Sequence, residues 1–231
     1  MPFANTQWLI EQLFLLPPLL LSLTIHEYAH ARTALAFGDT TARDQGRLTL
    51  NPMAHLDPIG TLCLIFARFG WARPVPVNPH NLHPPRLGDV MVSLAGPVSN
   101  LLIAILCGVA LRVFYSQLGL PEKGTTLGHV HQMLMITMIV NIALCVFNML
   151  PLFPLDGHHI VREQLSPLGK QRFMEWQHRY GQFALLGLLV GPRVIETVNP
   201  QLMELHPWLD PIGVMFSFAI SRAMALLYMG L

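Results

Sequence analysis

The feature that most constrains this chain is a set of five apolar stretches, each close to the ~20 residues that a helix needs to cross a bilayer core. Hydrophobic residues make up 52% of the sequence and charged residues only 12%, so a soluble fold with an ordinary polar surface is excluded. The sequence therefore predicts an all-α integral membrane helical bundle with about five spanning helices. The predicted spans are residues 8–36, 90–113, 132–150, 181–198 and 211–230.

The first stretch is longer than the others and contains Pro17 and Pro18 near its middle. Each proline removes one backbone donor from a helix, and its ring displaces the preceding turn. We therefore expect one bent helix over residues 8–36. The alternative is two shorter segments, which would give six spans.

Lysine and arginine residues are concentrated after the first span and between the third and fourth spans. The positive-inside rule places these segments in the cytoplasm, with the N-terminus outside and the C-terminus inside. This topology is that of a multi-pass protein, which we place in the cell (inner) membrane. Only Arg112 and Lys123 flank the loop before the third span. The residues on the predicted cytoplasmic side are Arg32, Arg43, Arg47, Arg68, Arg73, Arg86, Arg162, Lys170, Arg172 and Arg179.

Length and charge bound the domain organisation and the partners. Residues 1–231 are expected to form a single membrane-embedded domain, with a core over roughly 8–160 and peripheral helices over roughly 181–230. The formal net charge of +1 gives no electrostatic footprint for nucleic acid. The lipid bilayer is therefore the expected environment, nucleic acid is excluded as a partner, and the oligomeric state stays open.

A short apolar segment, Ile59–Trp71, lies between the first two spans and is too short to cross. It continues into the proline-punctuated residues 73–78, a pattern that predicts a re-entrant segment or β-hairpin. Because Pro74 and Pro76 lie two residues apart, both would block the same edge of a strand. Two interpretations remain: a proline-stiffened surface loop, or a strand edge that binds an extended peptide substrate.

The polar residues His26, Glu27 and His30 form a His-Glu-x-x-His pattern near the end of the first span. Helical spacing places the two imidazoles one turn apart on one face, where both can bind one Zn²⁺, with Glu27 beside them as a candidate base. The alternative is a hydrogen-bonded pair of histidines at a helix end. Ionisable side chains within a spanning helix are costly and are functional by default, which favours the metal site.

A catalytic zinc ion usually has three protein ligands, so a further ligand must come from a distant segment. Asp156 is the best candidate, because it is an isolated acid just after the third span, within Asn148–Gly157. The competing interpretation is a turn or helix-cap residue, since Asp-Gly and proline are common in turns.

These motifs together resemble the site-2 protease family of zinc intramembrane metalloproteases. The matching patterns are His-Glu-x-x-His at 26–30, Asn-x-x-Pro-x-x-Pro-Leu-Asp-Gly at 148–157, Ala-Gly-Pro-Val-Ser-Asn at 95–100, and the segment 51–60. Two widely separated metal motifs in the right order are more specific than either alone. The chain is similar to the compact subgroup that lacks PDZ and CBS domains.

The resemblance implies that His26, His30 and Asp156 bind one zinc ion per chain. It also implies that Glu27 is catalytic and that Asn148 lies near the substrate carbonyl, where it could stabilise an oxyanion. The implied activity is hydrolysis of peptide bonds in transmembrane protein substrates near the cytoplasmic side. The alternatives are a divalent-metal transporter, in which Glu27 would be a ligand, and a catalytically silent membrane scaffold.

Several other polar residues receive more modest interpretations. His158 and His159 either tune the metal site or lie in solvent, and His55 either orients a ligand or stabilises a turn. Gly96, Pro97 and Asn100 are expected to permit close helix approach and interhelical hydrogen bonding, without taking part in the chemistry.

Overall fold

The computed structural model describes residues 6–67, 70–122 and 124–228, and most of the described chain is helical. The helices are α1 (Thr6–Ala36), α2 (Thr41–Asp44), α3 (Pro58–Ala67), α4 (Pro85–Leu118), α5 (Thr126–Asn148), α6 (Asp156–Gln164), α7 (Pro167–Trp176), α8 (Gln182–Val198), α9 (Pro200–Leu205) and α10 (Pro211–Tyr228). A π-helical turn at Gln177–Gly181 joins α7 to α8.

Four helical segments of the described chain are long and apolar enough to span a membrane. They are Pro85–Leu118, Thr126–Asn148, Pro167–Val198 and Pro211–Tyr228, and they contain the last four predicted stretches almost completely. The prediction of an all-α membrane bundle is therefore confirmed. The first predicted stretch is the single helix α1, with Pro17 and Pro18 inside it, so the two-segment alternative is not observed.

The long helix α4 is the centre of the bundle, because α1, α5, α6 and α10 all pack against it. Its contacts with α5 and α10 bury a continuous apolar cluster. This packing fixes the relative positions of the helices that carry the polar motifs. The buried members of the cluster are Ala104, Cys107, Leu111, Tyr115, Met138, Ile142 and Leu227.

The helix α1 ends at Ala36, and the turn that follows contains Gly38, whose φ of 99° lies in the left-handed region that residues with a side chain rarely adopt. The amide of Asp39 donates to the carbonyl of Ala34 at 2.9 Å, as in a Schellman C-cap. The chain then leaves the helix with Asp39 completely buried, and this carboxylate anchors a later segment of the site.

The segment between α1 and α4 contains the short helix α3 and an extended return. Among the described residues, an isolated antiparallel bridge joins Leu56 to Ala72, and no β-strand is formed. Gly60 permits this return, because a Cβ there would lie 2.2 Å from the carbonyl oxygen of Trp71. Residues 73–78 belong to no helix or strand, and Asn78 has an extended backbone, whereas the β-hairpin and the re-entrant position of the segment stay predictions.

The loop between α5 and α6 is held by one buried side chain, Gln177. Its Nε2 donates to the carbonyl of Pro151 at 2.6 Å, and its Oε1 accepts from the amide of Phe153 at 2.9 Å. Because Gln177 is completely buried, both contacts are made away from water. They set the path of the chain just before Asp156.

Replacing Gln177 by Leu should destabilise this loop, because two backbone groups would lose their partner. Each buried group left without a hydrogen bond costs about 1–3 kcal/mol, so the loss should be at least ~2 kcal/mol. Thermal unfolding of the purified protein in detergent measures the effect. The matched control is Gln182→Leu at an exposed position, and equal melting temperatures for the two variants would contradict the role of Gln177.

Candidate metal centre

Three potential metal ligands converge at the interface of α1 and α6. The Nε2 atoms of His26 and His30 lie 3.0 Å apart, and Asp156 places one carboxylate oxygen 3.3 Å from each of them. All three ligand atoms lie within 4.8 Å of one another. The structure therefore brings together the three residues that the sequence predicted as zinc ligands, from segments that are far apart along the chain.

The other nitrogen of each imidazole is used for orientation. Nδ1 of His30 lies 2.7 Å from the carbonyl of Val92, and Nδ1 of His26 lies 2.6 Å from Oδ1 of Asn100. A carbonyl oxygen can only accept, so each Nδ1 carries the proton and each Nε2 presents its lone pair to the shared centre. Metal-binding histidines in proteins are commonly oriented in this way.

The arrangement fits a zinc ion on two counts. Two ligands at the usual zinc distance of about 2.0–2.1 Å in tetrahedral geometry lie roughly 3.3 Å apart, close to the separations found here. In addition, the buried Oδ2 of Asp156 has no hydrogen-bond partner among the described residues, a costly state for a carboxylate oxygen that a cation would relieve. His26, His30 and Asp156 are thus a suitable set of protein ligands for zinc.

Gly96 of α4 forms the wall behind the two imidazoles. A Cβ at this position would lie 2.4 Å from Nε2 of His30 and 2.6 Å from Nε2 of His26, closer than any real contact. Sequence analysis gave Gly96 a role in close helix approach. The structure makes this role specific, because the approach is to the candidate metal ligands.

Replacing Gly96 by Ala should therefore displace the imidazoles and weaken zinc binding. We expect an affinity loss of at least the ~10–100-fold that follows from misorienting a ligand. Competition with a chromogenic chelator measures it. The matched control is Gly108→Ala on the same helix, where a Cβ would make an ordinary contact of 3.6 Å with Met138, and equal zinc affinity of the two variants would contradict the steric argument.

Glu27 is buried beside the two histidines and binds the extended segment 73–78. Its Oε2 accepts from the amide of Val75 at 2.8 Å. The same segment is anchored at both ends, because the amide of Arg73 donates to the carbonyl of His55 and that of Asn78 donates to Asp39, at 2.8 and 2.7 Å. Residues 73–78 thus lie across the site, and the amide of Val75, between the two prolines, contacts Glu27.

A cavity of about 370 Å³ joins these groups. Its wall contains all three candidate ligands, Glu27 and part of the segment 73–78. Leu144, Phe147 and Asn148 of α5 complete the wall. The combination of converging polar groups and apolar walls suits an extended peptide segment.

The structure also locates the remaining residues that the sequence singled out. Asn148 lines the cavity, and its Nδ2 donates to the carbonyl of Leu144 at 3.0 Å, which leaves a second N–H for another acceptor. His55 is buried, and its Nε2 contacts the carbonyl of Thr49 at 2.8 Å, so of its two interpretations the turn contact is observed.

The two histidines after Asp156 differ from each other. His158 is buried, with Nδ1 2.5 Å from the carbonyl of Leu155. Burial and the neighbouring His159 lower the pKa of His158 to about 4, so its ring is neutral at pH 7. His159 lines the cavity, with Nδ1 3.5 Å from Oδ1 of Asp89.

A charged network that no sequence motif predicted connects α6 to the start of α4. Arg162 of α6 contacts the buried carboxylates of Asp89 and Glu163, and Lys170 contacts Glu163 at 2.6 Å. This network holds the helix that begins at Asp156. The only sequence signal was Asp89 itself, an acid at the edge of a spanning segment.

Comparison with known proteins gives one consistent identity. Residues 118–190 match the model of peptidase family M50. The chain is 46% identical over 189 residues, 82% of its length and 85% of the relative, to "Putative zinc metalloprotease YwhC" of Bacillus subtilis (strain 168). It is 30% identical over 214 residues, 87% of its length and 74% of the relative, to "Putative zinc metalloprotease Rip2" of Mycolicibacterium smegmatis. No solved structure matches it.

The matched region 118–190 contains Asp156, and the alignment with the first relative extends over most of the chain. The transporter and the silent scaffold are therefore not supported, and the cofactor is Zn²⁺, as the names of the relatives imply. The chain belongs to peptidase family M50, the site-2 proteases, and is a multi-pass membrane protein with the activity of a zinc metalloprotease.

Proposed function

We propose that this metalloprotease hydrolyses peptide bonds of transmembrane protein substrates within the membrane, near the cytoplasmic side. The observation that carries the proposal is the position of the three candidate ligands. Two of them, His26 and His30, lie against Val92, Gly96 and Asn100 of α4, within a spanning helix. A substrate must therefore bring its scissile bond into the bundle to reach the site.

His26, His30 and Asp156 would hold the zinc ion. When bound, zinc supplies Lewis-acid chemistry, which activates water near neutral pH and polarises a carbonyl group. Glu27 accepts a proton from the attacking water through Oε1, since Oε2 is bound to the amide of Val75. Glu27 then returns this proton to the leaving amide nitrogen, so one carboxylate serves both steps.

We propose that Asn148 donates a hydrogen bond to the substrate carbonyl. It lines the cavity, and one of its two amide hydrogens is already used by Leu144. The second hydrogen is available to the carbonyl oxygen as negative charge develops there. Preorganised donors of this kind contribute a few kcal/mol to related reactions.

A helical substrate must unwind locally, because its carbonyl groups are otherwise bonded within the helix. The segment 73–78 contributes Pro74, Val75 and Val77 to the wall of the cavity. We propose that the unwound substrate lies alongside this wall. Helix-weakening residues in the substrate should lower the cost, by about 1 kcal/mol for each Gly in place of Ala.

The proposed orientation of the bundle in the membrane follows from the distribution of positive charge. The ends of α1 and α5 and the start of α4 meet at the site, and the neighbouring segments carry Arg47, Arg73, Arg86, Arg162 and Lys170. The positive-inside rule favours the cytoplasm for this end of the bundle. We further propose that residues 8–160 are the catalytic core, that residues 181–230 are peripheral, and that the membrane is the cell (inner) membrane.

The proposal can be tested with the full chain reconstituted in vesicles together with oriented single-span substrates. We expect cleavage inside the substrate span, in its cytoplasmic half, with the product termini identified by mass spectrometry. A substrate whose central Gly pair is replaced by Leu should be cut more slowly. Cleavage confined to segments outside the span, or to its opposite half, would contradict the proposal.

A further inference from the structure

We infer that Asn100, Asn141 and Ser22 form a relay of hydrogen bonds that determines which nitrogen of His26 carries a proton. We call these three residues the asparagine relay. It rests on the proposed zinc site, since its output is the lone pair that His26 presents there. The three residues come from α4, α5 and α1, and each is completely buried.

The orientation of Asn141 is fixed first. Its Nδ2 donates to the carbonyl of Thr137 at 2.8 Å, and a carbonyl oxygen can only accept. The same Nδ2 donates at 2.7 Å to Oγ of Ser22, which itself donates to the carbonyl of Pro18 at 2.6 Å. With both hydrogens of Nδ2 used, Oδ1 of Asn141 must face the other way, towards α4.

The orientation of Asn100 follows from that of Asn141. Nδ2 of Asn100 donates to Oδ1 of Asn141 at 2.8 Å and lies 3.4 Å from the carbonyl of Ser22. Its Oδ1 is then directed at Nδ1 of His26, 2.6 Å away. An acceptor at this position requires the proton on Nδ1, which leaves Nε2 free for a metal ion.

Without Asn141 the amide of Asn100 would have only one weak contact to define its orientation. A flipped amide would donate to Nδ1 of His26 and thereby favour the tautomer with the proton on Nε2. That tautomer has no lone pair at the shared centre. Asn100, Asn141 and Ser22 are therefore positioning residues, which act on the metal through His26.

Because the relay acts through the orientation of an amide, an amide and a carboxylate at position 100 should behave differently. A carboxylate at position 100 would accept from His26 with either oxygen and would need no partner to orient it. The effect of losing Asn141 should then disappear in an Asn100→Asp background. A purely structural role of Asn141 predicts the same effect in both backgrounds.

The experiment measures zinc release from the full-length, zinc-loaded protein to a chromogenic chelator, together with the visible spectrum of the Co²⁺-substituted protein. Asn141→Leu should release zinc ~10-fold faster or more, the scale found for residues that orient metal ligands, and should alter the Co²⁺ spectrum. Asn141→Leu combined with Asn100→Asp should release zinc no faster than Asn100→Asp alone.

Two hydroxyl variants provide a matched pair. Ser22 and Thr24 both lie buried on α1 and both donate to the carbonyl four residues earlier, but only Ser22 also contacts Asn141. Ser22→Ala should accelerate zinc release, whereas Thr24→Val should not. This pair keeps the inference testable if Asn141→Leu fails to fold.

Equal acceleration by Asn141→Leu in both backgrounds would overturn the inference. A native release rate in either Asn141→Leu or Ser22→Ala would also overturn it. Failure of the zinc site itself gives a different result, because His26→Ala would then retain zinc as the native chain does. Loss of zinc in His26→Ala without any response in the relay variants would contradict the relay alone.

Discussion

Replacing Glu27 by Gln is expected to abolish peptide hydrolysis while zinc stays bound. Gln has nearly the same size and can still accept from the amide of Val75, so the packing around the site should be kept. It cannot take a proton from water at neutral pH, and general acid-base catalysis typically contributes about 10²- to 10⁴-fold. Cleavage of a single-span substrate in vesicles and metal analysis of the same preparation measure the two effects.

The control for this prediction is Glu163→Gln, a buried glutamate outside the cavity that contacts Arg162 and Lys170. This change should affect stability more than the chemical step. Native cleavage by Glu27→Gln would show that another group acts as the base. Loss of zinc in Glu27→Gln would instead indicate that Glu27 is a ligand, as in a metal transporter.

Replacing His26, His30 or Asp156 singly by Ala is expected to remove zinc and activity together. Each residue supplies one of the three converging ligand atoms, which lie within 4.8 Å of one another. Loss of a ligand should lower the zinc affinity by more than ~100-fold, the largest loss that is typical when an orienting partner is removed. Zinc content after dialysis against a weak chelator measures the effect.

The matched control is His158→Ala, next to the same loop but bonded to the carbonyl of Leu155. It should retain zinc, because its ring does not belong to the converging group. Retention of a full equivalent of zinc by Asp156→Ala would remove the third ligand from the account. The same outcome would leave open only a site built on the two histidines.

Sequence alone predicted the parts of this molecule that depend on local periodicity. The apolar stretches gave the spanning helices, and helical spacing placed His26 and His30 on one face. Asp156 required a different argument, since nothing local relates it to α1. The resemblance of the 148–157 motif to the site-2 proteases supplied this link, and the structure brings the three residues together.

The remaining features depend on tertiary contacts that no local pattern encodes. Pro74 and Pro76 keep residues 73–78 out of a helix, but the bond from the amide of Val75 to Glu27 follows from how α1 meets this segment. Likewise, no sequence pattern predicted a role for Asn141. An amide inside an apolar span was the available signal, and its partner Asn100 lies on another helix.

The most direct test of the central claim is X-ray absorption spectroscopy at the zinc edge on the native chain and on His30→Ala. The account predicts one zinc ion per native chain, with nitrogen and oxygen ligands only, near 2.0–2.1 Å, and with outer scattering from two imidazoles. His30→Ala should lose zinc or retain it with a single imidazole. A sulfur ligand, or undiminished imidazole scattering in His30→Ala, would contradict the account.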